Sequence, residues 1–221
     1  MTQLAIDLAY RPALGRADFL VSDCNRAAFE AIERWPDWQQ TRLVLCGPPG
    51  SGKSHLAHLW QERSGGALIA GDALQQRSPD ALARLPGVAV DDAERAPEQA
   101  LLHLYNCCSE AGRSLLIIAR TLPAAWPIVL PDLASRLRAA PCVSIAPPDD
   151  ALLAAVLVKH FADRGLRVPP SVIGFLVRRI ERSFAAAATI AVRLDRLALD
   201  AGRPIGLALA RRALAEIADQ S

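Results

Sequence analysis

The chain has 221 residues, 52% of them hydrophobic and 22% charged, with 25 basic and 23 acidic residues and a net charge of +2. That is enough chain for a sizeable core, and so even a charge balance gives no basic stripe of the kind that strong direct DNA binding requires. No apolar run reaches the length of a membrane span, the amino end lacks the pattern of a secretory signal, and the five cysteines (Cys24, Cys46, Cys107, Cys108 and Cys142) lack CxxC spacing, which together predict reduced thiols, no membrane partner and a cytoplasmic location.

Near the amino end, QLAIDL (residues 3 to 8) carries Leu4, Ile6 and Leu8 behind Gln3, then runs into Arg11 and Pro12, which break regular structure. The segment is either an edge strand that folds back or a peptide that another protein grips. Residues 9 to 18 read as loop. DCNRAAFEAIERW (23 to 35) reads as a helix with Asp23 as its cap, Ala28, Ile32 and Trp35 on one face, and Pro36 ending it.

Short apolar runs at 42 to 47, 67 to 71, 87 to 92, 114 to 120 and 142 to 147 predict buried strands. Helical stretches at 51 to 63, 78 to 84, 98 to 112 and 132 to 140 lie between them, and the proline-rich segment 122 to 131 reads as loop. Strands alternating with helices argue an α/β fold with a parallel sheet covered on both faces. After PPDD (147 to 150) only helical periods follow, which predicts a separate helical part. The expected organisation is a terminal peptide and loop at 1 to 18, an α/β nucleotide-binding domain at 19 to 147 and a helical lid at 148 to 221.

GPPGSGKS (47 to 54) fits G-x-x-x-x-G-K-[ST] in full, between a strand and a helix. Gly47, Pro48, Pro49, Gly50, Ser51 and Gly52 form the loop whose backbone amides turn toward phosphate oxygens, aided by the positive end of the following helix. Lys53 can reach the β- and γ-phosphates and the Ser54 hydroxyl can take Mg²⁺. VAVDDAE (88 to 94) delivers Asp91 and Asp92 at the carboxyl end of a strand, where ligands bind in such sheets. Asp91 is placed to bind Mg²⁺, through water, and Asp92 to orient an attacking water. The implied ligands are ATP or ADP with Mg²⁺.

A P-loop α/β core with a helical appendage resembles the AAA+ class, and three segments narrow the resemblance. FLVSDCNRAAFEAI (19 to 32) is similar to a segment of bacterial DnaA-type initiators in which an Asn-Arg pair lies near the adenine pocket. CGPPGSGKSHLAHLW is similar to their P-loop helix, and LPDLASRLRAAPCVSIAPPDD (130 to 150) to their box VII and the start of their lid. The resemblance implies nucleotide contacts from Asn25 and Arg26. It also implies that Arg136 is the arginine finger that reaches a neighbouring subunit's nucleotide.

Initiators of this family carry a DNA-reading helix-turn-helix domain after the lid and an interaction domain before the core. Here a QL-type peptide precedes a core and lid. This arrangement resembles the Hda (HdaA) family of DnaA-related regulators of replication initiation. The resemblance implies that Gln3, Leu4, Ile6 and Leu8 dock in a pocket of the replicase sliding clamp. It further implies that the clamp-bound protein stimulates hydrolysis of ATP held by the DnaA initiator. Two copies could occupy a clamp dimer with gain by avidity, so a homodimer is compatible with this reading. The alternative is a helicase-loader-like or DNA-remodelling AAA+ ATPase, which shares this style of P-loop; a third reading is a scaffold whose nucleotide only fixes its shape.

Two features depart from an active ATPase of the family. Ala185 stands where the lid's sensor 2 arginine is expected, with Arg182 three residues earlier as a substitute. The strand end that should offer a small polar sensor 1 reads ARTLP, leaving Arg120 or Thr121. Weak intrinsic turnover follows, because a missing cation near the γ-phosphate is felt most in the transition state. Arg138 competes with Arg136 for the finger role. His55, His58, His103 and His160 show no third ligand in sequence and read as packing or surface residues.

Overall fold

The computed structural model describes residues 15–218. The peptide containing Gln3, Leu4, Ile6 and Leu8 lies outside the described residues.

Among the described residues the apolar runs form a five-stranded sheet of β1 (Arg42–Cys46), β2 (Ala67–Ala70), β3 (Gly87–Asp91), β4 (Ser114–Ala119) and β5 (Cys142–Ser144), in the order β2-β3-β4-β1-β5. Every pairing is parallel. The strands are apolar on both sides because both faces are covered. Leu43, Leu45, Ala89, Leu116 and Ile118 point to the face lined by α1 (Arg26–Glu33) and α2 (Lys53–Ser64). Val44, Cys46, Val88, Val90, Leu115, Ile117 and Ala119 point to the other, lined by α3 (Pro79–Leu82), α4 (Glu98–Glu110) and α5 (Pro131–Ala139). The period of two along each strand thus feeds two separate cores.

On the first face Trp60 is fully buried between Trp35 and Trp38, stacked on Trp38 at 6.1 Å and edge-on to Trp35 at 6.0 Å. Their indole N–H groups donate to Ser114 Oγ (Trp35) and to the Ala31 carbonyl (Trp38). These tryptophans anchor α1 on the sheet and are thereby accounted for as packing.

The last four helices, α6 (Asp150–Ala162), α7 (Pro170–Val177), α8 (Phe184–Ala201) and α9 (Leu207–Ala218), build their own core around Leu157, Phe161, Leu176, Ile190 and Leu194. Asp149 and Ser183 cap α6 and α8 by accepting from the backbone N–H of Leu152 and Ala186. Leu152 and Phe184 leave this core and join the first face of the sheet, which ties the lid to the P-loop side.

Two local expectations are corrected, and one unassigned stretch takes regular form. Asp23 does not cap α1; it pairs with Arg26 at 3.1 Å, and the helix begins after Asn25, whose side chain is used elsewhere. β5 stops at Ser144, although Ile145 still donates to the Cys46 carbonyl. Residues Gly71–Gln76 form a 3₁₀ turn that no hydrophobic period announced.

Candidate functional site

The site is built where β1 and β3 end. β1 leads into the loop 47 to 52, and α2 starts at Lys53. Gly50 and Gly52 have φ of 72° and 90°, conformations that favour glycine. Side-chain bulk is excluded as well: a Cβ on Gly52 would lie 2.9 Å from the Phe19 ring, and one on Gly50 would lie 3.1 Å from the Ala185 nitrogen. The loop is therefore clamped between Phe19 and the amino end of α8.

Lys53 is only 7% exposed. Its ammonium donates to the Gly47 and Pro48 carbonyls at 2.8 and 2.9 Å. Burial holds its pKa below the usual lysine range, while Asp91, Asp92 and Glu94 push it back up. Ser54 Oγ donates to Asp91 Oδ2 at 2.7 Å, so two hard oxygens meet at the loop. Ser51 Oγ is buried and has no hydrogen-bond partner among the described residues. An orphaned hydroxyl, paired hard oxygens and a lysine lent to its own loop's carbonyls form a donor set that fits a phosphate group with a divalent cation.

Asp92 follows in a left-handed conformation, φ 49° and ψ 47°, which turns the chain sharply off the strand. Its carboxylate accepts from Arg120 Nε at 3.4 Å, and Glu94 accepts from the Arg120 backbone N–H at 3.1 Å. The second Glu94 oxygen is buried without a partner among the described residues. Arg120, at the end of β4, therefore stands among the carboxylates, whereas the Thr121 carbonyl accepts from Cys46 Sγ and Trp126 Nε1. Glu94 was missed by the sequence reading; its one signal was an acidic residue two places beyond Asp92.

A cavity of about 150 Å³ adjoins the loop, lined by Phe19, Leu20, Asn25, Gly50, His160 and Phe184 among others. Asn25 is buried at 3% exposure. Its amide donates to the Leu20 carbonyl and accepts from the Ser22 N–H, both at 2.8 Å, which shapes the cavity wall. Arg26 does not line this cavity and pairs with Asp23 on the surface. Arg182 is exposed and held by Asp150 at 2.9 Å, also outside the cavity lining. Ala185, by contrast, contributes the backbone that abuts Gly50, so the lid meets the loop without a side-chain charge at that position.

Arg136, on α5, is half-buried and is not among the residues lining this cavity. Asp132 holds it at 2.8 Å, and its guanidinium lies 5.6 Å from the centre of the Tyr105 ring. The Asp132 carboxylate keeps its pKa above the usual arginine range. Arg138 folds back onto the Ala134 carbonyl of its own helix. His55 Nε2–H donates to the Gly15 carbonyl at 3.0 Å and the ring packs edge-on against Phe19, consistent with a packing role.

A P-loop between β1 and α2, two aspartates at the end of β3 and a helical lid against the loop form a P-loop α/β fold with a lid, the architecture expected of the AAA+ class. Over 229 aligned positions the chain is 27% identical to the chromosomal replication initiator protein DnaA of Thermomicrobium roseum, covering 90% of this chain. It spans about half the length of that curated relative, 48%. Its fold is similar to domain III of the Thermotoga maritima replication initiation protein DnaA, with a TM-score of 0.77 at 16% identity over 94% of this chain and 98% of that one. AMPPCP-bound DnaA from Aquifex aeolicus matches with a TM-score of 0.69 at 16% identity, over 86% and 67%. The Thermotoga maritima RuvB branch migration motor matches with 0.70 at 14%, over 91% and 71%. No protein-family model matches the chain. In sequence and fold the chain is thus similar to the AAA+ part of DnaA initiators.

Proposed function

We propose that this protein binds ATP or ADP with Mg²⁺ and acts as a DnaA-related regulator of replication initiation. It docks on the sliding clamp through Gln3, Leu4, Ile6 and Leu8, and it speeds hydrolysis of ATP held by the DnaA initiator by lending Arg136. The observation that supports the reading is the distribution of cations. At the contact between lid and P-loop the chain has Ala185, whereas Arg136 sits on α5, oriented by Asp132 and Tyr105. The lid's cation in the cavity wall, Lys159, is engaged by Asp18 and Asp163, and position 185 beside the loop carries no charge, an arrangement that favours nucleotide retention over turnover.

In its own site the 47 to 52 loop amides would receive the phosphates, Ser51 Oγ would gain the partner it lacks, and Lys53 would leave the loop carbonyls for a phosphate oxygen. Ser54 and Asp91 would hold the Mg²⁺, which neutralises phosphate charge. Asp92 would orient the attacking water once released from Arg120. The base would enter the cavity shaped by Asn25 and His160. That DnaA structures are solved with AMPPCP supports nucleotide as the ligand.

The test is ATP turnover by a purified cognate initiator, with and without this protein in its ADP form and with and without clamp loaded on DNA. Acceleration that requires the clamp supports the proposal. Turnover unaffected by either addition, with tight single-stranded DNA binding instead, would move the assignment to the loader-like alternative.

A further inference from the structure

One cluster of chemically competent side chains lies outside the P-loop site. On α4, His103 and Cys107 are one helical turn apart and so project the same way. The short helix α3 packs beside α4 and brings Asp80 against them. One ligand atom from each of Asp80, His103 and Cys107 lies within 4.8 Å of the other two. Cys107 Sγ is 3.5 Å from Asp80 Oδ1.

In sequence His103 is isolated, and the cysteines lack metal-binding spacing. The fold supplies the missing ligand from a separate helix. His103-x-x-x-Cys107 was the readable half of the signal, an i, i+4 pair on one helix face.

We propose that Asp80, His103 and Cys107 bind a Zn²⁺-type divalent cation that pins α3 to α4. Around a tetrahedral zinc with bonds of about 2.0–2.3 Å, ligand atoms sit roughly 3.3–3.8 Å apart. Donors already within 4.8 Å reach that spacing by small side-chain rotations, with no movement of α4. The donor set of nitrogen, sulfur and carboxylate oxygen suits zinc or cobalt(II) and disfavours Mg²⁺ and Ca²⁺, which take oxygen ligands. Asp80 and His103 are exposed and Cys107 is half-buried, so a cation can enter from solvent and keep a water as fourth ligand. The helix pinned in this way also carries Tyr105, on which Arg136 rests, so the cation would steady the support of the proposed finger.

The experiment uses the full chain, stripped with a chelator and desalted, then titrated with Zn²⁺ by calorimetry and with Co²⁺ by visible absorption. One equivalent should bind, Co²⁺ should develop thiolate charge-transfer absorption, and Zn²⁺ should raise the melting temperature. Cys107→Ser and His103→Ala should each weaken binding by at least about tenfold, and Asp80→Asn should weaken it less. Cys142→Ser, which alters a different exposed thiol, should bind like the parent. Absence of the charge-transfer band in the parent protein would overturn the proposal without reference to any variant. So would full binding by Cys107→Ser, or loss of binding on Cys142→Ser.

Discussion

Replacing Lys53 with methionine separates the nucleotide site from the fold. In the free protein the lysine makes two hydrogen bonds to the Gly47 and Pro48 carbonyls, at 2.8 and 2.9 Å. Bonds to a charged group contribute roughly 1.5–3 kcal/mol each, but the burial that lowers the Lys53 pKa offsets much of this. Methionine fills the same buried channel with an apolar stem. Stability of the nucleotide-free protein should therefore change by no more than about 1 kcal/mol.

Binding is affected differently. The variant loses a charge-assisted contact to phosphate and the ammonium that faces Asp91, Asp92 and Glu94, of which Arg120 pairs with Asp92 and Glu94, so phosphate meets added repulsion. A loss of about 3–4 kcal/mol follows, or roughly 10²–10³ in ADP affinity. Calorimetric ADP titration of parent and Lys53→Met, paired with thermal melts without nucleotide, reads both quantities. Affinity that falls less than about threefold would refute the P-loop assignment. Collapse of the nucleotide-free fold would refute the claim that burial and hydrogen bonding nearly cancel.

Ala185→Arg tests the missing cation. Position 185 is exposed on α8 beside Gly50, so the longer side chain should be accommodated without loss of stability, and intrinsic ATP turnover should rise severalfold; unchanged turnover would count against a neutral lid contact as the cause of slow hydrolysis. His160, in the cavity wall, is held below its ordinary pKa by burial first and by Arg164 and Lys159 next, against an opposing pull from Asp163. The unfolded chain takes up that proton first, near pH 6.5, so stability present above this pH should decline as pH falls toward the folded value. Melting temperatures between pH 7.5 and 5 should fall less steeply in His160→Gln than in the parent. Deleting residues 1 to 8 should abolish clamp binding in a calorimetric titration and leave the melting temperature unchanged; a large drop in melting temperature would reassign the segment as a structural strand.

Much of the frame is readable from local pattern. Runs such as LVLC and LLIIA can only be satisfied by a sheet covered on both sides, and GPPGSGKS between strand and helix carries its own confirmation. Interactions between distant segments are not readable in this way. Arg120 and Glu94 meet because β3 and β4 are neighbours, although the two residues are far apart in the chain. Asp23 looked like a cap because capping preference is local, yet Asn25 is drawn inward by the Leu20 and Ser22 backbone and the helix starts one residue after it. His103 and Cys107 gained meaning when α3 brought Asp80 to them. Ala185 was legible by alignment to a family pattern, but its backbone contact with Gly50 required the folded lid.

The central claim is that Arg136 acts on another molecule's nucleotide. The most direct measurement is single-turnover hydrolysis of ATP bound to the cognate initiator, in the presence of clamp-loaded DNA and either the parent protein or Arg136→Ala. Arg136→Ala should keep parental ADP affinity and melting temperature, because Arg136 contributes a surface ion pair and a ring contact rather than core packing. The account predicts that it loses most of the acceleration, since such fingers contribute about 10³–10⁵ in rate in GTPase systems. Acceleration equal to that of the parent protein, with both proteins equally bound to the clamp, would contradict it.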